Sequence, residues 1–200
     1  MISHQRVIQW MNVIREERGE QQLRILENFW ASQLNSKMWL IENVQKHCSI
    51  PDNSDIYIFG GWYGVLAQLL SDVFPTCNIF SIDKDEECAK YGNRLKLSSD
   101  NITFITHDMM DFKNYSSNTS LIVNTSTEHV TQEIFDSWIY NMPEEVHVVL
   151  QGNDFYSCSE HVRCTKTLAD FHFLNTLPIT LMAGSLNCET FNRWMIIGWK

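Results

Sequence analysis

The chain has 200 residues with a formal net charge of −9, and is 44% hydrophobic and 20% charged. That composition suits one soluble globular domain with a real core, and its 7 Trp and 11 Phe argue against disorder. The acidic balance counts against an extended phosphate-binding surface, and no apolar run nears the roughly 20 residues of a membrane helix.

Residues 1–48 alternate charged and apolar groups at helical spacing (Val7, Ile8, Met11, Ile14, then Leu23, Leu26, Phe29, Trp30) and predict two or three helices broken at Gly19. Residues 1–49 are therefore expected to form an N-terminal helical cap or lid, with one compact unit over 50–200. "SIPDNSD" reads as the turn into the next element. Strands and helices then alternate. "DIYIFGG" is followed by the helix "YGVLAQLLSDVF", "NIFSID" by "KDEECAKYGNRLKL", and "NITFITHDM" is a third strand. "SLIVNTST" precedes the helix "QEIFDSWIYNM", and "EVHVVLQGND" precedes the helix "TLADFHFLNTL". "ITLMAGSLN" and "RWMIIGWK" close the chain, joined only by "CETF". Strict alternation predicts a three-layer α/β/α sandwich on a mostly parallel seven-stranded sheet. The last connection is too short for a parallel crossover, so the final pair is an antiparallel hairpin.

Six cysteines (48, 77, 88, 158, 164, 188) are scattered without CxxC pairs, as expected of reduced thiols. The N-terminal stretch "MISHQRVIQW" lacks the apolar core of a signal peptide, so a cytoplasmic location is expected. Cys158, His161 and Cys164 give the nearest approach to a metal pattern, but their spacing drifts around a helix, and no metal is expected.

In such a sheet ligands sit outside the carboxyl ends of the strands, where connections reverse direction. The turn Gly60-Gly61-Trp62-Tyr63-Gly64 falls there, after the first strand. Asp83 ends the second strand, 23 residues after Gly60, where a carboxylate accepts both hydroxyls of a ribose. Asp108 ends the third, where it takes an adenine amino group while the Met109 thioether packs on the ring. Each acid alone is equally readable as a helix cap.

This ordered set resembles the class I S-adenosylmethionine-dependent methyltransferases over about residues 50–200. It is most similar to small stand-alone members of unassigned substrate. The resemblance implies S-adenosyl-L-methionine as cofactor and methyl transfer to an O or N nucleophile of a small molecule or modified polymer. It assigns Gly60, Gly61, Trp62 and Gly64 to the methionine part, Asp83 with the adjoining Lys84 to the ribose, and Asp108 with Met109 to the adenine. Two features depart from the family pattern: Ile58-Phe59 stands where an acid is usual, and GGWYG replaces glycine-x-glycine. A nicotinamide-binding Rossmann protein would share the glycines and Asp83, but not Asp108 or the closing hairpin.

After the fourth strand, "NTSTEHV" is where the family keeps residues nearest the transferring methyl. Asn124 orients cofactor or acceptor, and Glu128 and His129 are candidate proton acceptors. The plainer reading makes Thr125–Thr127 a helix cap with Glu128 and His129 on its exposed first turn. DNA amino-methyltransferases carry Asn/Asp-Pro-Pro-Tyr here, and Thr125-Ser126-Thr127 departs from that. Lys37, Trp39, Tyr63, Gln151 and Asn153 are candidate acceptor-binding residues, with His161 and Arg163 as possible anion contacts. Lyase, cyclase or aminoalkyl-transfer chemistry on the same cofactor, and a non-catalytic cofactor-binding subunit, stay open as alternatives.

Overall fold

The apolar run before the glycines becomes the central strand β1 (Asp55–Phe59), buried along its whole length. Its side chains alternate between two faces, as a strand's must. Ile56 and Ile58 enter one core; Tyr57 and Phe59 enter the other. The structure, a computed structural model, describes residues 2–200. The N-terminal periodicity resolves into three helices: α1 (His4–Glu16), α2 (Gly19–Glu27) and α3 (Ala31–His47). Next come α4 (Val65–Val73), β2 (Asn78–Asp83), α5 (Glu86–Leu95), β3 (Ile102–Thr106) and β4 (Thr119–Asn124). The chain continues through α6 (Gln132–Tyr140), β5 (His147–Asn153), α7 (Leu168–Leu174), β6 (Ile179–Asn187) and β7 (Asn192–Trp199).

The sheet order is β3-β2-β1-β4-β5-β7-β6. The first five strands are mutually parallel; β7 runs antiparallel to both β5 and β6. This is the expected α/β/α sandwich with its closing hairpin. Connections reverse direction between β1 and β4, and that places a crevice at their carboxyl ends.

Helices α1 to α5 cover one face through Trp10, Ile25, Leu40, Leu70 and Leu95. On the other face, α6 and α7 bring Phe135, Trp138 and Phe171 against Tyr57, Phe59 and Leu150. Each fully buried side chain of this size stabilises the fold by about 1.5–3 kcal/mol. The helix starts are fixed by side chains that accept otherwise orphaned N–H groups: Ser3 for α1, Asp85 for α5, Thr131 for α6 and Thr167 for α7. The cap before α6 is thus Thr131, not the Thr125–Thr127 stretch.

The first helices are layer as much as cap. Arg6 of α1, 1% exposed, forks onto Asp72 and Asp100, with Nη2 at 2.6 Å from Asp72 Oδ1 and Nη1 at 2.8 Å from Asp100 Oδ2. Helix α3 packs on β6 and β7, and its Ser36 hydroxyl lies 3.0 Å from Gln151 Oε1. Among the described residues no helix is long and apolar enough to cross a membrane.

Candidate functional site

The turn after β1 bends sharply because three of its residues take left-handed backbone angles: Gly60 (φ +62°), Trp62 (φ +49°) and Gly64 (φ +73°). Glycine adopts these freely, whereas for Trp62 the conformation costs roughly 1–2 kcal/mol. Trp62 is held there by its N–H, which donates to Asp83 Oδ2 at 2.9 Å, and by its ring, stacked on Tyr63.

Gly60, Gly61 and Gly64 leave less room for a ligand than their spacing implies. A Cβ on Gly60 would lie 2.5 Å from Ser126 Oγ, one on Gly61 2.2 Å from Ser81 Oγ, and one on Gly64 2.2 Å from Phe104 Cε1. The space each glycine clears is filled by the protein's own side chains. The contact between Gly60 and Ser126 also brings the turns after β1 and β4 together at the crevice. Tyr63 departs further from expectation. It is 0% exposed, edge-on to Tyr91, and its hydroxyl accepts from Gln21 Nε2 at 3.1 Å. It belongs to the core beneath α2 and is not an acceptor-pocket wall.

The two aspartates sit at neighbouring strand tips, held in register by the His107 N–H donating to the Asp83 carbonyl at 2.9 Å. Asp83 is half-buried. Its Oδ2 takes the Trp62 N–H and its Oδ1 takes the Asp85 N–H at 3.1 Å, so each oxygen keeps lone-pair capacity. Asp108 is exposed, and its Oδ1 accepts the Met110 N–H at 2.9 Å, which closes a tight turn. Lys84 is exposed. Asn124 is buried: its amide nitrogen lies 3.8 Å from Met109 Sδ and its oxygen accepts the Ser126 N–H at 2.9 Å. It therefore ties the turns after β3 and β4 together, and its head group is already engaged.

A single 3-10 turn, Thr127–His129, follows β4. Glu128, expected on an exposed first turn, is 3% exposed and ion-paired to Arg193 of β7 at 3.1 Å, with the Asn153 amide on the same oxygen. His129 beside it is exposed, yet lost hydration holds its ring below the usual histidine range. Gln151 and Asn153 are buried too. Gln151 binds Ser36 and Met195, while the Asn153 oxygen accepts the Phe155 N–H at 2.9 Å. They are supports, not acceptor contacts. Arg163 is likewise no anion contact: it is buried over the Phe135 ring and donates to Thr127, Gln132 and Asn175.

Arg193 escapes a reading by motif. The available signal is an arginine within the apolar stretch "FNRWMIIG", because charged residues enter strand interiors only when paired. Trp39 lies over Gly184 of β6. Lys37 on the same helix finds only the Gln33 oxygens, at 2.9 and 3.4 Å. Burial, with Arg193 nearby, pushes its amine down to about 7. An unfolded lysine titrates at about 10.4, so between these two values the unfolded chain binds the extra proton and stability rises with pH. Lys37→Met is expected to remove that slope and to raise the melting temperature below pH 7. Thermal melts of both proteins from pH 6 to 10 measure it; parallel curves would refute it.

No protein-family model matches the chain, and neither does any curated protein. Solved structures do. The N-methyltransferase NodS from Bradyrhizobium japonicum WM9 superposes with a TM-score of 0.67 at 12% identity, over 86% of this chain and 98% of that one. The magnesium protoporphyrin IX methyltransferase ChlM from Synechocystis PCC 6803, with bound SAH, gives 0.63 at 12% identity over 98% and 94%. MtNAS, in complex with MTA and tNA, gives 0.65 at 11% identity over 98% and 69%. The chain thus has the Rossmann-like fold of these proteins.

Proposed function

We propose that the chain is an S-adenosylmethionine-dependent methyltransferase acting on an O or N nucleophile of a small molecule or modified polymer. The observation that carries this is Asp83. It stands at the tip of β2 beside the direction reversal, positioned through both oxygens by backbone N–H groups while keeping lone pairs for a diol. Asp108 and Met109 at the next strand tip add an exposed carboxylate and a thioether, a donor set that suits an adenine. The residues present fit the cofactor. Asp83 would hold the ribose, Asp108 and Met109 the base, and the Trp62 backbone turn would border the remaining chain.

When bound, S-adenosylmethionine supplies a methyl group that its sulfonium has already activated. The protein's share is therefore placement and exclusion of water. Trp62, half-buried at the crevice, and Trp39, over β6, are the aromatic groups suited to the second task. His129, exposed after β4 and edge-on to His161, is the candidate proton acceptor, and Lys37 adds an amine whose charged form burial disfavours.

A second reading, transfer of another group from the same cofactor, is supported by the likeness to MtNAS, whose complex contains MTA. Titration with S-adenosylmethionine, NAD and ATP, followed by product identification by mass, separates these. The methyltransferase reading expects binding of the first alone and accumulation of S-adenosylhomocysteine. Methylthioadenosine as the product would favour the second reading, and binding of NAD alone would sink both.

A further inference from the structure

Glu128 is buried as few carboxylates are, and only one of its oxygens is accounted for. Oε1 receives Arg193 Nη1 and the Asn153 amide. Oε2 has no hydrogen-bond partner among the described residues. A buried oxygen without a partner costs free energy, and such groups mark places where a ligand or ion completes the set. Two imidazoles lie beside it. Glu128, His129 and His161 each offer one ligand atom, and these three atoms lie within 4.8 Å of one another.

The second histidine is set up as a ligand. His161 Nδ1 lies 2.8 Å from the Phe155 carbonyl oxygen, which can only accept, so Nδ1 carries the proton and Nε2 keeps its lone pair. A carbonyl on the far nitrogen is the support that orients metal-binding imidazoles. The two loops are also laced together. Val162 and Arg163 both donate their N–H to the Glu128 carbonyl, at 2.9 and 3.1 Å. The Thr127 hydroxyl donates to the Gln151 carbonyl at 2.8 Å. Ligands 32 residues apart in sequence are thus fixed by backbone contacts, independently of any ion.

We propose that Glu128, His129 and His161 bind one divalent first-row transition-metal ion, with its remaining coordination positions open. Two imidazoles and a carboxylate suit zinc, cobalt, manganese or iron(II); magnesium and calcium prefer all-oxygen sets. A tetrahedral zinc with bonds of about 2.0–2.1 Å needs donors roughly 3.4 Å apart, so the three atoms must close in slightly. The exposed His129 ring is free to make that adjustment. Arg193 does not compete, because it holds the other carboxylate oxygen. The cysteines that flank His161 in sequence are not needed: Cys164 Sγ faces Asn153 Oδ1 at 3.3 Å, the Phe155 carbonyl at 3.5 Å and His161 Nδ1 at 3.7 Å, the nitrogen that does not take the ion. Resting on the methyl-transfer reading, the open positions would take an oxygen of the acceptor.

The test uses the full chain freed of metal by a chelator and titrated with Co2+, followed by visible absorption, then with Zn2+ as competitor. One equivalent of Co2+ should give ligand-field bands that Zn2+ abolishes. His129→Ala and His161→Ala should each weaken Zn2+ binding at least tenfold, and Cys158→Ser/Cys164→Ser should leave it unchanged. Glu128→Gln strips Arg193 of its counter-charge and endangers the fold, so the histidine variants decide. Absence of saturable binding overturns the site, as does binding that survives loss of both histidines or disappears with the cysteines. S-adenosylmethionine affinity of the metal-free protein is measured alongside. If it is retained while Co2+ fails to bind, only the metal site falls; if it is absent while Co2+ binds, only the methyltransferase reading falls.

Discussion

Asp83→Asn should lower affinity for S-adenosylmethionine by about one to two orders of magnitude. Hydrogen bonds to a charged group contribute about 1.5–3 kcal/mol each, against about 1 kcal/mol for neutral pairs, and a ribose offers two hydroxyls. The substitution keeps the shape but removes the charge. It also turns one oxygen into an N–H donor that must face either the Trp62 or the Asp85 amide. Part of the loss would therefore come from loosening the strained Trp62 turn. Calorimetric titration measures the affinity, and near-UV circular dichroism, sensitive to Trp62 stacked on Tyr63, reports the turn. Asp108→Asn should have a smaller effect, because that side chain is exposed and its bonds compete with water. Unchanged affinity in Asp83→Asn would mean that the nucleoside does not lie where proposed.

Arg6→Leu should destabilise the fold by about 3–5 kcal/mol, the usual consequence of removing one partner from a buried charge cluster. Five hydrogen bonds vanish at once: two to Asp72, two to Asp100 and one to Gln68. Asp100 is the costly residue, with a side chain 4% exposed and left without its counter-ion, whereas Asp72 at 30% can turn to solvent. For a chain of this size the loss corresponds to a fall in melting temperature of roughly 10 °C. Arg6→Leu combined with Asp100→Leu should recover a large part of it, since apolar replacement of a whole buried ion pair is often neutral. If the double substitution is no more stable than the single one, α1 is held by packing, not by its charges.

Legibility followed the range of the interactions. The elements could be read because periodicity and turn residues act locally: "DIYIFGG" and "NIFSID" each contain the strand that forms, and "SLIVNTST" misses only the first residue of β4, Thr119. The hairpin followed from a four-residue connection, a length argument that needs no neighbours. The position of Asp83 at the end of β2 was legible for the same reason, whereas Asp108 lies two residues beyond β3. The partners of side chains were not. Gly60 reads as clearance for a ligand until Ser126, 66 residues on, is seen filling it. Tyr63 and Trp62 are adjacent in sequence and their rings stack, yet Tyr63 is fully buried beneath α2 while Trp62 stays half-exposed, a difference no local pattern announces. Glu128 reads as a solvated first-turn acid; only the fold brings Arg193 beneath it, 65 residues away. The convergence of His129 with His161 is of the same kind, since no spacing rule spans two loops on different strands.

The placement of β7 bears on how the molecule is made. The strand pairs on one side with β5 and on the other with β6, and β6 has no further neighbour among the described residues. During synthesis β6 leaves the ribosome before the only strand that can dock it, so the growing sheet waits with an unpaired border along β5. Residues 192–199 close that border and recruit β6 in one step. A nascent chain stalled just short of them would carry a long, apolar, unsatisfied strand edge, the kind of surface on which chains associate with one another and not with themselves.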